Sequence, residues 1–437
     1  MNIAVILNHF PYFLAFAGKD RENVFYFCSA RRKFLIKGKD VVEVCTVDLM
    51  AKGAERPLGD VDEYFAPGRV IGAVPAKTDL SAISARYENW FLRFLDRHKI
   101  DCLVSGATTG FERIGLRIAR GIGVKTFCVW EGLFRPGTIS LDPKGMNAES
   151  AFAAKPFSEI RSHKSSEQFA SFYSGFQTYL RTSSVAPRSL RSIQGGRFDV
   201  WRQLRNRLSE AADFERVRLP LSAHLNARIS YYRQRHHYVD FNAVHRPFIL
   251  FPLQSHTDIN VVLHGGLFPF RGIVNLVRSA FKQVRQHMDC ILLIKEHPMD
   301  VFRSPYDRRP GSSIYWINPV VPIATILNHP RCLGTVVVNS TSGLESLILG
   351  KPVLCLGKAL YNHPELVRAP LSMTVHGLVD ALHSLVTDRV DSVAVDQFSG
   401  CLYDTMQVPG DIERIPTGDE IDLFIAILNR RNNGAEN

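Results

Sequence analysis

The chain has 437 residues, 46% of them apolar and 22% charged, which is the balance of a folded globular protein and excludes an intrinsically disordered one. Its length exceeds what one hydrophobic core ordinarily supports, so two domains are expected. The formal charge of +11 is concentrated: residues 151–247 hold sixteen Lys and Arg against seven Asp and Glu, an asymmetry that predicts an anionic partner there, with a merely solvated helical face as the alternative.

Residues 2–7 read as a first strand, with no cationic leader or small-residue cleavage site, and no apolar run approaches the roughly 20 residues that cross a bilayer, so the protein is expected inside the cell. Strands at 40–47, 102–105 and 126–130 alternate with amphipathic helices at 82–98 and 110–121. Between 151 and 246 helical patterns take over, at 165–181 and 198–214, broken by polar turns at 183–188 and 194–196. The alternation resumes with strands at 247–254, 291–294, 335–338 and 352–356 and helices at 268–286 and 344–349, and a last helix covers 419–429. The expected division is therefore 1–150, a basic helical insertion at 151–246, a second α/β domain at 247–410, and a terminal helix and tail at 411–437. Parallel strands joined by helices put ligands beyond the strands' carboxyl ends. The eight cysteines form no CxxC pair, and neither a disulfide framework nor a zinc site is expected.

Four clusters sit at predicted strand ends. Glu131-Gly132-Leu133-Phe134-Arg135-Pro136, followed by Asp142 to Ser150, releases a carboxylate into a glycine turn with an arginine four residues on, which suits acid/base work beside an anion or a structural ion pair. Pro252-Leu253-Gln254-Ser255-His256-Thr257-Asp258 brings Asp258 out of a strand by a short polar loop, where it can be a nucleophile in glycosyl chemistry or a helix cap. Lys295-Glu296-His297-Pro298 supplies a cation and an imidazole that can neutralise a leaving phosphate, with Pro298 stiffening the turn. Asn339-Ser340-Thr341-Ser342-Gly343 offers hydroxyls and backbone N–H groups at a helix start to the same phosphate, or is an ordinary capped helix, and Glu345 can reach a ribose diol. GxxxxGK[ST], GxGxxG after the first strand, HExxH and GxSxG are all missing, which disfavours an NTPase, a dehydrogenase, a zincin and an α/β-hydrolase.

In this order, and together with Gly145-Met146-Asn147, Gly350-Lys351-Pro352-Val353 and Gly357 and Tyr361, these motifs resemble the bacterial capsule polysaccharide biosynthesis family of the KpsS/KpsC type. The resemblance implies a retaining β-Kdo glycosyltransferase of GT-B-like α/β fold, two Rossmann-like doubly wound domains facing a cleft, with CMP-Kdo as donor substrate and no metal or other cofactor. One copy of the motif set, where KpsC-like proteins carry two modules, points to the KpsS-like role, transfer to a phosphatidylglycerol-type lipid. By resemblance Asp258 is the nucleophile and Glu131 the acid/base group. Arg135 meets the Kdo carboxylate, and Gln254, Lys295, His297, Pro298, Asn339, Ser340, Thr341, Ser342 and Glu345 hold the donor. The implied partners are a CMP-sugar, an anionic lipid at the inner face of the inner membrane and other capsule synthesis or export proteins, with no nucleic acid. The chain departs from the family after the first strand, where no glycine comes before Gly18, and after Tyr361, where Asn362-His363-Pro364-Glu365-Leu366 replaces a Gly-Leu pair; both touch the acceptor expectation. Another CMP- or CDP-dependent transferase of sialyl or glycerolphosphate type, or an inactive capsule-export adaptor, stay open as alternatives.

Overall fold

In the computed structural model, which describes residues 1–6, 24–29, 44–46, 64–66, 80–183, 226, 229, 231–255, 258–265, 270–300, 306–309, 311–412, 414 and 416–432, the β-branched and aromatic runs pair into two sheets. The first has the order β13-β6-β5-β4-β1-β2-β3, with β1 Asn2–Ile6, β2 Val24–Ser29, β3 Val44–Thr46, β4 Cys102–Ser105, β5 Lys125–Glu131, β6 Thr138–Asp142 and β13 Gln407–Pro409. Strands β1 to β5 are parallel, and β6 and β13 complete the edge in antiparallel register. The parallel part, 3-2-1-4-5, is a Rossmann-like order.

Side chains alternate along these strands and supply two cores. Ala4, Ile6, Leu103 and Cys128 meet Ile83, Tyr87, Phe91 and Phe94 of the helix Leu80–Arg97 together with the helix Gly110–Gly121. The second of these helices starts on a capping box, Thr109 with Glu112, worth about 1 kcal/mol. Ile3, Val5, Cys102, Val104, Phe127 and Val129 face the other way, onto Ile421, Phe424, Ile425 and Leu428 of the last helix, Gly418–Asn432. The C-terminal helix is thus one of the two covers of the first sheet. The described residues of Met1–Ala154 and Leu402–Asn437 form one compact unit, and those of Lys155–Val200 and Arg218–Cys401 form the other.

The second unit holds six parallel strands in the order β12-β11-β8-β9-β10-β7: β7 Tyr238–Val239, β8 Phe248–Pro252, β9 Ile291–Lys295, β10 Ile314–Ile317, β11 Cys332–Val337 and β12 Val353–Cys355. Ile249, Phe251, Leu292 and Ile294 pack under the helices Phe270–Val284 and Val375–Thr387, whereas Phe248, Leu250, Ile291 and Leu293 pack on the helix Ile323–Leu327 and on Phe241 and Val244. Strands β8 and β9 are buried throughout, as central parallel strands are. From β8 the chain winds through β9 to β10, then returns to β11 on the opposite side of β8. The order reverses between β8 and β11, and a crevice at such a reversal, beyond the carboxyl ends, is where open α/β sheets bind ligands.

The expected helix at 165–181 is Glu167–Thr182. That at 198–214 and nine of the sixteen basic residues of 151–247 lie outside the described residues, as do 7–13. Several basic side chains that are described already have acidic partners: Lys155 pairs with Glu159, Arg161 with Asp391 at 3.6 Å and Arg246 with Asp289 at 2.6 Å. Among the described residues no helix is long and apolar enough to cross a membrane.

Candidate functional site

Three of the four clusters meet at the carboxyl end of the second sheet. Gln254 and Asp258 follow β8, Lys295 ends β9, and Asn339 to Ser342 follow β11. Lys295 is in register with Pro252, and its carbonyl accepts the Leu253 N–H at 2.8 Å, so the β8 and β9 exits are fixed side by side.

The Gln254 amide joins β8 to β11. Its Nε2 donates to Asp258 Oδ2 at 3.2 Å and to Asn339 Oδ1 at 2.8 Å, while its Oε1 accepts the Asn339 backbone N–H at 3.2 Å. Asn339 Nδ2 in turn donates to the Asn260 carbonyl at 2.8 Å. Gln254 and Asn339 are both more than nine-tenths buried, and Asp258 is half-buried. Asp258 Oδ1 also accepts the Asn260 N–H at 2.9 Å, so the carboxylate caps the helix Ile259–Gly265 as well as facing the crevice. From the other side, Ser255 Oγ donates to the fully buried Asp300 at 2.8 Å, which ties the loop after β8 to the loop after β9.

Lys295 is 5% exposed, and its Nζ donates to the Pro319 carbonyl at 3.1 Å. Among the described residues it has no ion-pair partner within 4 Å. Burial pushes its ammonium down to about 8, and the charge of Glu296 only partly opposes this. Glu296 itself turns into a sealed cluster. Arg308 Nε and Nη2 donate to its two oxygens at 2.9 and 2.7 Å, both side chains are fully buried, and the Tyr238 hydroxyl donates to Oε2 at 2.7 Å. Burial works to lower the Arg308 pKa, but the hydrogen bonds and charge of Glu296 outweigh it and the net direction is up. His297 is half-buried; its carbonyl accepts the Asp300 N–H at 2.9 Å and closes the short turn begun by the buried Pro298.

The hydroxyl-rich turn is held from beneath. Tyr361, 1% exposed, donates its hydroxyl to the Ser340 carbonyl. A Cβ on Gly343 would lie 2.6 Å from Cζ of that ring and closer still to its oxygen, so only glycine fits. Ser340 and Ser342 share a hydrogen bond of 3.0 Å, and Ser340 Oγ also accepts the Ser342 N–H at 3.3 Å. Thr341 stands at the cap position without making a side-chain cap bond, so the ordinary-cap reading does not account for its hydroxyl. Glu345 is half-buried in the first turn of the helix Ser342–Ile348. The departure at 362–366 is a packed turn: His363 lies between the Phe157 and Phe398 rings at 5.4 and 5.9 Å, and burial lowers its pKa.

Glu131 and Arg135 belong to the first unit, where they form an ion pair with each other, and Arg135 Nε donates to the Gly132 carbonyl at 2.9 Å. Gly132 is required there because a Cβ would collide with the Thr138 backbone. Gln407 of β13 steadies the turn, its Oε1 accepting the Leu133 N–H at 3.0 Å and its Nε2 donating to Ser140 Oγ at 3.1 Å. Asp142 is buried and accepts the N–H groups of Lys144, Gly145 and Ala151 at 2.8 to 2.9 Å, an organiser of the following loop.

Sequence reasoning passed over Ser255, Asp300, Glu296, Arg308 and Gln407 as working parts. Ser255 and Glu296 lie inside quoted motifs, Glu296 as a charged neighbour of Lys295, and its partner Arg308 comes twelve residues later. The described cysteines, Cys102, Cys128, Cys290, Cys332, Cys355 and Cys401, are buried free thiols; burial pushes Cys102, Cys128 and Cys355 up to about 12. Among the described residues no group of three or more His, Cys, Asp or Glu side chains is placed to hold a metal ion.

Comparison with known proteins agrees with the motif order. The capsule polysaccharide modification protein LipB of Neisseria meningitidis serogroup A is 27% identical over 334 residues, 69% of this chain and 73% of LipB. The capsule polysaccharide export protein KpsS of Escherichia coli is 28% identical over 130 residues, 28% of this chain and 32% of KpsS. Among solved structures, KpsC of Thermosulfurimonas dismutans, described as a beta Kdo 2,7 transferase, overlaps 77% of this chain and 89% of its own at 14% identity and a TM-score of 0.38. The family described as capsule polysaccharide biosynthesis protein matches residues 101–370, more than half of the chain and all four clusters, and this chain belongs to that family.

Proposed function

We propose that this protein is a retaining β-Kdo glycosyltransferase of capsule polysaccharide biosynthesis, using CMP-Kdo as donor and a phosphatidylglycerol-type lipid or a Kdo-bearing linker as acceptor. One observation carries the reading: a carboxylate, a buried cation and a hydroxyl-lined turn follow the carboxyl ends of the neighbouring strands β8, β9 and β11, beside the reversal of the sheet order.

In this mechanism an Asp258 oxygen attacks the anomeric carbon of Kdo while the bond from that carbon to the CMP phosphate oxygen breaks, and CMP leaves with the electron pair. Lys295, His297 and the hydroxyls of Ser340, Thr341 and Ser342 meet the phosphate charge, worth most in a site screened from water. In the second step the acceptor hydroxyl attacks the same carbon, Glu131 takes its proton, and Asp258 departs as carboxylate. Two inversions give net retention. Both Asp258 oxygens accept amide N–H groups, so the carboxylate is anchored at both ends. Arg135 pairs with Glu131 and is assigned to the Kdo carboxylate, so donor or acceptor binding exchanges one anionic partner for another. Anionic lipid at the inner face of the inner membrane is the assigned surface for the basic segment, worth roughly 1 kcal/mol per well-placed cation.

The test is a donor screen with a short-chain phosphatidylglycerol analogue. The reading expects a sugar increment on the lipid from CMP-Kdo and a loss of about 1,000-fold or more in Asp258→Asn. Transfer from a CMP-sialic acid or a CDP-glycerol donor instead, or full turnover by Asp258→Asn, would overturn it.

A further inference from the structure

The resemblance assigns Gln254 and Asn339 to the donor, but every side-chain polar atom of the two already has a partner within the protein. We infer that both are positioning residues, which hold the Asp258 carboxylate in place and do not bind the nucleotide sugar; the inference rests on Asp258 being the nucleophile.

The hydrogen bonds form a chain with one consistent direction. The Asn339 backbone N–H can only donate, so the Gln254 atom it meets at 3.2 Å must be Oε1. That orients Nε2 toward Asp258 Oδ2 and Asn339 Oδ1, and both of its hydrogens are used. Asn339 is fixed in the same way, because the Asn260 carbonyl can only accept and must face Nδ2. Neither amide can flip without putting like against like. A ligand taking a hydrogen bond from Gln254 Nε2 would have to break one of these bonds, and both amide side chains are more than nine-tenths buried.

The chain also spans the reversal of the sheet. It begins at the exit of β11, crosses to the exit of β8 and ends on Asp258, while Asn260 closes the loop through its own N–H to Asp258 Oδ1 at 2.9 Å. Each Asp258 oxygen therefore accepts one fixed amide N–H and keeps lone pairs directed elsewhere. A carboxylate held at both oxygens is aimed, and aim is what a nucleophile loses first when its support is removed.

The experiment is steady-state kinetics with CMP-Kdo and the lipid analogue, together with calorimetric titration of CMP alone, on Gln254→Met, Asn339→Ala, their double variant and Asp258→Asn. Gln254→Met keeps the side-chain length and removes every amide bond. Positioning predicts that kcat falls about 100-fold while the donor KM and the Kd for CMP stay within about twofold. It also predicts that the double variant is no slower than Gln254→Met alone, because Asn339 acts through Gln254. Donor binding by Gln254 predicts the reverse, a raised KM and Kd at unchanged kcat, and additive losses in the double variant; either result overturns the inference. If Gln254→Met does not fold, Asn339→Ala alone carries the same kcat-against-KM distinction. Wild-type turnover by Asp258→Asn would instead condemn the nucleophile assignment, an outcome separate from a failure of the positioning inference.

Discussion

Replacing Lys295 by methionine should make the protein more stable at neutral pH, an outcome that separates a functional cation from a structural one. The lysine is 5% exposed, and its pKa is lowered from 10.5 to about 8. That difference corresponds to about 3 kcal/mol. Below pH 8 the amine is charged in both the folded and unfolded chain, so the whole penalty for burying the ammonium is present. Between pH 8 and 10.5 the folded protein releases the proton while the unfolded chain keeps it, so the unfolded state binds more protons and stability rises with pH through that window. Lys295→Met removes the penalty but leaves the Pro319 carbonyl without its donor, a loss of about 1 kcal/mol. The net gain at pH 7 is then about 2 kcal/mol, or roughly 4 to 8 °C in Tm for a unit of this size. Near pH 10.5 the penalty is gone, and the variant should be less stable than wild type by about 1 kcal/mol. Thermal denaturation of the full chain across this range reads both ends. A Lys295→Met protein that is destabilised by the same amount at pH 7 and pH 10 would refute the reasoning.

Other expectations follow from the same contacts. If the Lys295 ammonium meets the phosphate, the Kd for CMP should rise about tenfold per pH unit above pH 8 in wild type and stay flat in Lys295→Met, read by calorimetry. Glu296→Gln strips the charge from a fully buried pair and leaves Arg308 uncompensated, so chemical denaturation should show a loss of about 3 to 5 kcal/mol; Glu296→Leu with Arg308→Met should recover most of it. Gly343→Ala forces a methyl against the buried Tyr361 ring and should cost about 1 to 3 kcal/mol, with weaker CMP binding because the Ser340 turn is displaced.

The parts of the fold that were legible are those whose signal is local. The strand Cys102–Ser105 and the helix Gly110–Gly121 were read with their observed bounds, because a short apolar run and an amphipathic helical period are each complete within a few residues. Tyr238–Val239 and Gln407–Pro409 were missed because two or three residues carry no period. The second exists only by pairing with Thr138–Asp142, more than 260 residues earlier. Ile314–Ile317 was short enough to pass for a loop, and Val24–Ser29 was not singled out. The strand exits were legible as places where chemistry collects, and the structure brings Gln254, Asp258, Lys295 and Asn339 to neighbouring exits. Their roles were less so. Glu296 sits one residue from Lys295, and successive residues of a strand face opposite ways, which could have signalled that only one of the two charges belongs to the crevice. Where its partner would come from is a property of the tertiary fold. Asp258 shows that two readings of one residue need not compete, since its carboxylate meets the Asn260 N–H as a cap does and still meets Gln254 with its other oxygen.

The most direct test of the central claim is intact-mass analysis of the full chain incubated with CMP-Kdo in the absence of acceptor, followed by peptide mapping. Double displacement predicts one Kdo increment on the protein, located on Asp258, absent from Asp258→Asn and discharged when the lipid acceptor is added. Transfer to lipid with no protein adduct under any quench, or an adduct on another residue that survives Asp258→Asn, would contradict it.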